Sequence, residues 1–151
     1  MRVSDLITNE EIKKWKIGDT VTIKAGTGSG KSHFIKNKLF LHAKKNNEKI
    51  LMLLHRKNTV DQFKNEIRKQ NKSQTITIIT YQYLESAVKN KYAELDDLMN
   101  KHTYLICDEY HYWLSDSLIN RYTELSLNHL IKQQNKIKIF MSGTSNLFVL
   151  N

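Results

Sequence analysis

Residues 25–32 read Ala25-Gly26-Thr27-Gly28-Ser29-Gly30-Lys31-Ser32, and the segments on either side give this stretch its meaning. The apolar, β-branched run Val21–Ala25 leads into it, and Ile35, Leu39 and His42 follow it with helical spacing, so the glycines occupy a strand-to-helix turn. Three glycines let successive backbone N–H groups turn inward around an anion. The helix that follows adds its own unpaired N–H groups and the positive end of its dipole. A phosphate chain fits such a cradle. Lys31 reaches the β- and γ-phosphates of a nucleoside triphosphate, and the Ser32 hydroxyl is placed to ligate Mg²⁺. Ala25 stands where this pattern usually has its first glycine, a position that asks only for a small residue.

Outward from this stretch, short apolar runs recur at Ile50–Leu54, Thr75–Thr80, Tyr104–Cys107 and Ile137–Met141. Their near-continuous apolar character suits parallel strands covered on both faces. Helical stripes lie between them. Val60, Phe63 and Ile67 form one, with Thr59-x-x-Gln62 ahead of it in the pattern of a capping box; Tyr92, Leu95 and Met99 form a shorter one, and Leu114, Leu118, Tyr122 and Leu125 a third. Alternation of strand and helix predicts an α/β domain: a mostly parallel sheet of about five or more strands with helices on both faces. With no proline and only 5 glycines, the 151 residues show no linker or repeat and are expected to form one domain, 1–151.

The run Tyr104–Cys107 ends in Asp108-Glu109-Tyr110-His111. Binding a triphosphate does not hydrolyse it. Hydrolysis also needs an acid near Mg²⁺ and a second acid to orient and deprotonate the attacking water, both at a strand end beside the phosphate loop. Asp108 suits the metal, through water, and Glu109 suits the base, with Lys31 as the catalytic cation.

Ala25–Ser32 followed by Asp108–His111 resembles motifs I and II of superfamily 2 helicases, in the DExH branch. Ser142-Gly143-Thr144, at the exit of Ile137–Met141, resembles motif III, usually Ser-Ala-Thr, with glycine in the middle place. The resemblance covers nearly the whole chain. It implies a RecA-like P-loop NTPase fold, ATP and Mg²⁺ as nucleotide and metal, and the N-terminal motor domain of a nucleic-acid helicase or translocase. In that fold the strand leading to Ser142 lies between the phosphate-loop strand and the Asp108 strand. Ser142 and Thr144 are then placed to hydrogen-bond His111 and to link the nucleotide site to the nucleic-acid surface.

His55-Arg56-Lys57-Asn58-Thr59-Val60-Asp61-Gln62 falls where the family carries motif Ia, and Thr80-Tyr81-Gln82-Tyr83-Leu84-Glu85 resembles its motif Ib or Ic. These loops imply a grip on the backbone of a single strand of DNA or RNA. Arg56, Lys57, Thr80 and Gln82 are the candidate contacts, through charge neutralisation and hydrogen bonding to phosphates. For each segment the competing reading is a polar helix start after a core strand. Twenty-four Lys and Arg against 15 Asp and Glu leave a net charge of +9, which attracts polyanions or serves only as a solvated surface.

A complete motor of this type has two RecA-like domains, and the second supplies arginine fingers worth a factor of about 10³ to 10⁵. One such unit is present here. The second is expected in cis or from a partner, and hydrolysis by this chain alone is expected to be slow. Two other readings stay open: a non-catalytic, nucleotide-gated nucleic-acid-binding module, and another P-loop ATPase such as a phage DNA-packaging motor. Trp15 or Lys16 offers a contact for the base, with Trp15 alternatively a packing staple for the N-terminal segment. The single cysteine, Cys107, is expected in the core, and His33, His42, His55, His102 and His129 lack metal-ligand spacing. Tyr110, Tyr112 and Trp113 are expected to pack. With neither a long apolar span nor a secretion-type leader, the expected location is cytoplasmic, without a membrane partner.

Overall fold

Five strands form where the apolar runs place them: β1 Thr20–Lys24, β2 Ile50–Leu54, β3 Ile76–Thr80, β4 Tyr104–Asp108 and β5 Ile137–Ser142. They belong to a computed structural model that describes residues 3–24, 30–54, 57–109, 128–129, 132–142 and 148–150. Ala25, Gly26, Thr27, Gly28, Ser29, His55, Arg56, Tyr110, His111, Tyr112, Trp113, Gly143 and Thr144 lie outside the described residues, as does the stripe Leu114, Leu118, Tyr122 and Leu125.

The strand order is β3-β2-β4-β5-β1, with β6 (Phe148–Leu150) outside β1. The first five strands pair in parallel, and β6 adds an antiparallel edge. As expected, β5 lies between β1 and β4. The strand β6 has no counterpart in the sequence reading, because three residues are too few to show a period. What defines it is pairing with β1, Thr22 opposite Leu150 and Lys24 opposite Phe148.

The helices are α1 Val3–Leu6, α2 Asn9–Lys14, α3 Lys31–His33, α4 Phe40–Lys45, α5 Lys57–Lys69, α6 Tyr81–Lys89 and α7 Glu94–Asn100. A π-helical stretch, Phe34–Leu39, joins α3 to α4. Helices cover both faces because alternate strand residues feed two cores. Ile50, Met52, Leu54, Tyr104 and Ile106 pack with Phe34, Leu39, Phe63 and Ile67 on one face. Leu51, Leu53, Leu105 and Cys107 pack with Tyr81, Leu84, Leu95 and Met99 on the other. All five side chains of β2 are buried, each large apolar one contributing about 1.5–3 kcal/mol. Cys107 is fully buried in the core, where desolvation pushes its thiol well up.

Two local expectations are corrected. The helix carrying Val60, Phe63 and Ile67 starts at Lys57, so Thr59 lies inside it and is not the cap of a Thr59–Gln62 box. An apolar stripe fixes which face of a helix is buried, not where the helix begins. Tyr92 lies before α7 and is exposed, leaving Leu95 and Met99 as its buried stripe. The competing reading of a helix start after β3 holds for the fold at α6, where Tyr81, Leu84 and Ala87 bury one face. Trp15 is buried in the larger core, which favours the packing reading over contact with a base.

Part of the cationic surplus is internal. Lys38 Nζ donates to the carbonyls of Ser4 (2.5 Å) and Ile7 (2.9 Å), holding the end of α1. Lys136, buried with its ammonium pushed down by desolvation, donates to the carbonyls of Met99 and His102 at the end of α7. These cations satisfy carbonyls that a helix end leaves open. His102 is buried as well; Nδ1 lies 2.6 Å from the Leu98 carbonyl and Nε2 3.1 Å from Thr77 Oγ1, and burial holds its imidazole below the ordinary range. No helix among the described residues is long and apolar enough to cross a membrane.

Candidate functional site

Because β1 to β5 are parallel, their carboxyl ends share one edge of the sheet, where Lys24 pairs with Ser142 and Asp108 with Met141. Strands lie about 4.8 Å apart, so the ends of β1 and β4, which flank β5, are roughly 10 Å apart. A lysine at the start of the helix after β1 spans that gap. Gly30 precedes α3 with φ +86°, a left-handed conformation that favours glycine, and its carbonyl accepts from Phe34 N–H at 2.9 Å. Lys31 Nζ then lies 2.6 Å from Glu109 Oε1 and 3.6 Å from Asp108 Oδ1. Side-chain exposures of 15% for Lys31, 20% for Asp108 and 29% for Glu109 leave this cluster partly screened by water.

Burial raises the Asp108 carboxyl above its ordinary range; the Lys31 ammonium opposes that shift and the Glu109 carboxylate adds to it. Asp108 Oδ1 is buried, 3.6 Å from the Lys31 ammonium, and has no hydrogen-bond partner among the described residues. A buried carboxylate oxygen without a hydrogen-bond partner is a natural ligand for a hard cation or its hydration water. Ser32, exposed on α3 beside Lys31, would add a hydroxyl oxygen to the same donor set.

The peptide joining the two acids is held from behind. Tyr81, the first residue of α6, is 1% exposed, and its hydroxyl donates to the Asp108 carbonyl at 2.8 Å. Immediately after that carbonyl, Glu109 takes φ +50°, a left-handed conformation costing a non-glycine residue about 1–2 kcal/mol. The Tyr81 hydrogen bond returns about 0.5–1.5 kcal/mol, and the ion pair to Lys31 adds to it. Burial pushes the Tyr81 phenol well up, so it remains a donor.

Of the residues singled out in the sequence, Gly30, Lys31, Ser32, Asp108, Glu109 and Ser142 are brought to one edge of the sheet, with Ser142 buried at the end of β5. Thr80 ends β3 on the same edge, two strands from Asp108, and its hydroxyl accepts from Tyr83 N–H at 2.9 Å as the cap of α6. Gln82 is exposed in the first turn of α6, and Lys57 is the first residue of α5. A link from Ser142 and Thr144 to His111 involves two residues outside those described. Tyr81 was missed as a site residue; the helical spacing of Tyr81, Leu84 and Ala87 is the signal that marks its inward face.

A cation and two carboxylates thus converge at the carboxyl ends of parallel strands, where open α/β sheets bind ligands, with the Ser32 hydroxyl on the helix that carries the cation. Residues 6–147 match the protein family described as type III restriction enzyme, res subunit. Among solved structures, the Hef helicase domain of Pyrococcus furiosus is similar with a TM-score of 0.60 at 18% sequence identity, covering 96% of this chain and 35% of that one. The present chain therefore spans about a third of that helicase structure, and the shared fold is a RecA-like domain. No curated protein sequence matches the chain.

Proposed function

The chain belongs to the type III restriction enzyme res-subunit family, and from that premise we propose that it is the ATP-binding N-terminal motor domain of a DExH-type nucleic-acid helicase or translocase. The observation that carries this reading is the meeting of Lys31 with Asp108 and Glu109 across β5. An ammonium 2.6 Å from one carboxylate and 3.6 Å from the other, at the start of the helix after the phosphate loop, is within reach of the β- and γ-phosphates of ATP. The amides preceding and opening α3 then receive the phosphate oxygens.

Mg²⁺, when bound, would be held by the Ser32 hydroxyl and the Asp108 carboxylate and would screen the charge of the phosphates. Glu109 orients a water and accepts its proton at a carboxylate oxygen. The left-handed backbone at Glu109 turns that carboxylate toward Lys31 and the phosphate side of the edge. Arg56, Lys57, Thr80 and Gln82 form the track for a single strand of DNA or RNA, and Ser142, Thr144 and His111 couple that track to the nucleotide. A second RecA-like domain, in cis or from a partner, completes the ATP site and makes translocation possible.

The test is a titration of ATP·Mg²⁺ into the chain, followed by phosphate release with and without a single-stranded oligonucleotide. Nucleotide should bind, turnover should be slow, and oligonucleotide affinity should fall steeply as salt is raised, because bound phosphates release counterions. Absence of nucleotide binding would remove the proposal. A salt-independent affinity would remove its nucleic-acid half.

A further inference from the structure

The edge strand β3 passes into α6 without an intervening loop, so three consecutive residues face three different ways. Thr80 caps the helix with its hydroxyl at the sheet edge, Tyr81 points inward, and Gln82 is exposed. Tyr81 reaches under the end of β2, the strand between β3 and β4, and its hydroxyl meets the Asp108 carbonyl at 2.8 Å. That carbonyl belongs to the peptide plane about which Glu109 takes φ +50°. Rotating the plane swings the Glu109 carboxylate off Lys31, which it now meets at 2.6 Å.

We infer that Tyr81 is a positioning residue through which a nucleic-acid strand lying on Thr80 and Gln82 sets the pose of Glu109. The inference rests on the proposed reading of Lys31, Asp108 and Glu109 as the nucleotide site. It adds a route from the strand-binding edge to the acidic pair that is separate from β5 and Ser142. One feature suits Tyr81 to this task. Its ring is locked in the smaller core against the Leu84 and Ala87 face of α6, so movement of the helix start is carried to the hydroxyl with little slack.

The residue-level role separates from a packing role because phenylalanine keeps the ring and loses only the donor. In the full chain, ATP·Mg²⁺ affinity is measured by calorimetry with and without a saturating thymidine oligonucleotide, for wild type, Tyr81→Phe and Leu84→Ala. Leu84 lies in the same core and, being aliphatic, donates no hydrogen bond to the acidic pair's peptide, so its truncation reports loss of packing. In wild type the oligonucleotide should tighten nucleotide binding by at least about fivefold. Tyr81→Phe should reduce that ratio to below about twofold, while Leu84→Ala should keep it. Equal ratios in wild type and Tyr81→Phe would overturn the inference, and so would a wild-type ratio of one. Amide exchange gives a second measurement that needs no variant: oligonucleotide alone should slow exchange in residues 104–109, and unchanged exchange there would count against the route. Failure of the chain to bind any nucleotide would instead strike the underlying site assignment.

Discussion

Replacing Lys31 by alanine is expected to weaken ATP·Mg²⁺ binding by about 10- to 100-fold. The lysine supplies the one described cation within 4 Å of both acidic side chains. A charge-assisted hydrogen bond to a phosphate oxygen contributes about 1.5–3 kcal/mol, and each 1.4 kcal/mol is a factor of ten in affinity. Loss of the lysine has a second effect in the same direction. Asp108 and Glu109 then face an incoming triphosphate without the Lys31 ammonium beside them, so repulsion of the phosphates rises. The measurement is a calorimetric titration, with circular dichroism to show that the variant is folded. Affinity within twofold of wild type would mean that the phosphates bind elsewhere.

Glu109→Gln is expected to leave nucleotide binding intact and to lower hydrolysis by about 10²- to 10⁴-fold, the range for removal of a general base. Glutamine has nearly the same shape, and its amide oxygen still accepts from Lys31, so the ion pair becomes an ordinary hydrogen bond without a gap. What it lacks is the ability to take a proton from water. The rate comparison belongs in the assembly that contains the second motor domain, with oligonucleotide present, since the arginine fingers of that domain are what raise turnover to a readily measured rate. A variant with normal turnover would assign the base to another residue. Loss of nucleotide binding as well would mean that Glu109 acts mainly by placing Lys31.

The fold was legible because the signals that specify it are local. Ile50–Leu54 is apolar at every position, as a strand covered on both faces requires, and it appears with the bounds the sequence suggests. The other four parallel strands agree to within a residue or so at their ends. The order β1-β5-β4 came from the resemblance, since no local pattern states which strand lies beside which. Elements that depend on distant partners were not legible. The strand β6 exists by pairing with β1, and the buried Lys136 reads in sequence as one more surface cation. The same holds within the site. Lys31, Asp108 and Glu109 were readable from their motifs, whereas the role of Tyr81 depends on a hydrogen bond to a residue 27 positions away. Likewise, nothing before Glu109 in the chain announces its left-handed backbone, which rests on the Tyr81 and Lys31 contacts.

A crystal structure of the chain grown with Mg²⁺ and a non-hydrolysable ATP analogue would test the central claim most directly. The triphosphate should lie against the amides that open α3, with the metal between the Ser32 hydroxyl and the Asp108 carboxylate and the Lys31 ammonium turned from Glu109 to the phosphates. A nucleotide bound away from this edge, or bound here with Lys31 still on Glu109 and no metal at Asp108, would contradict it.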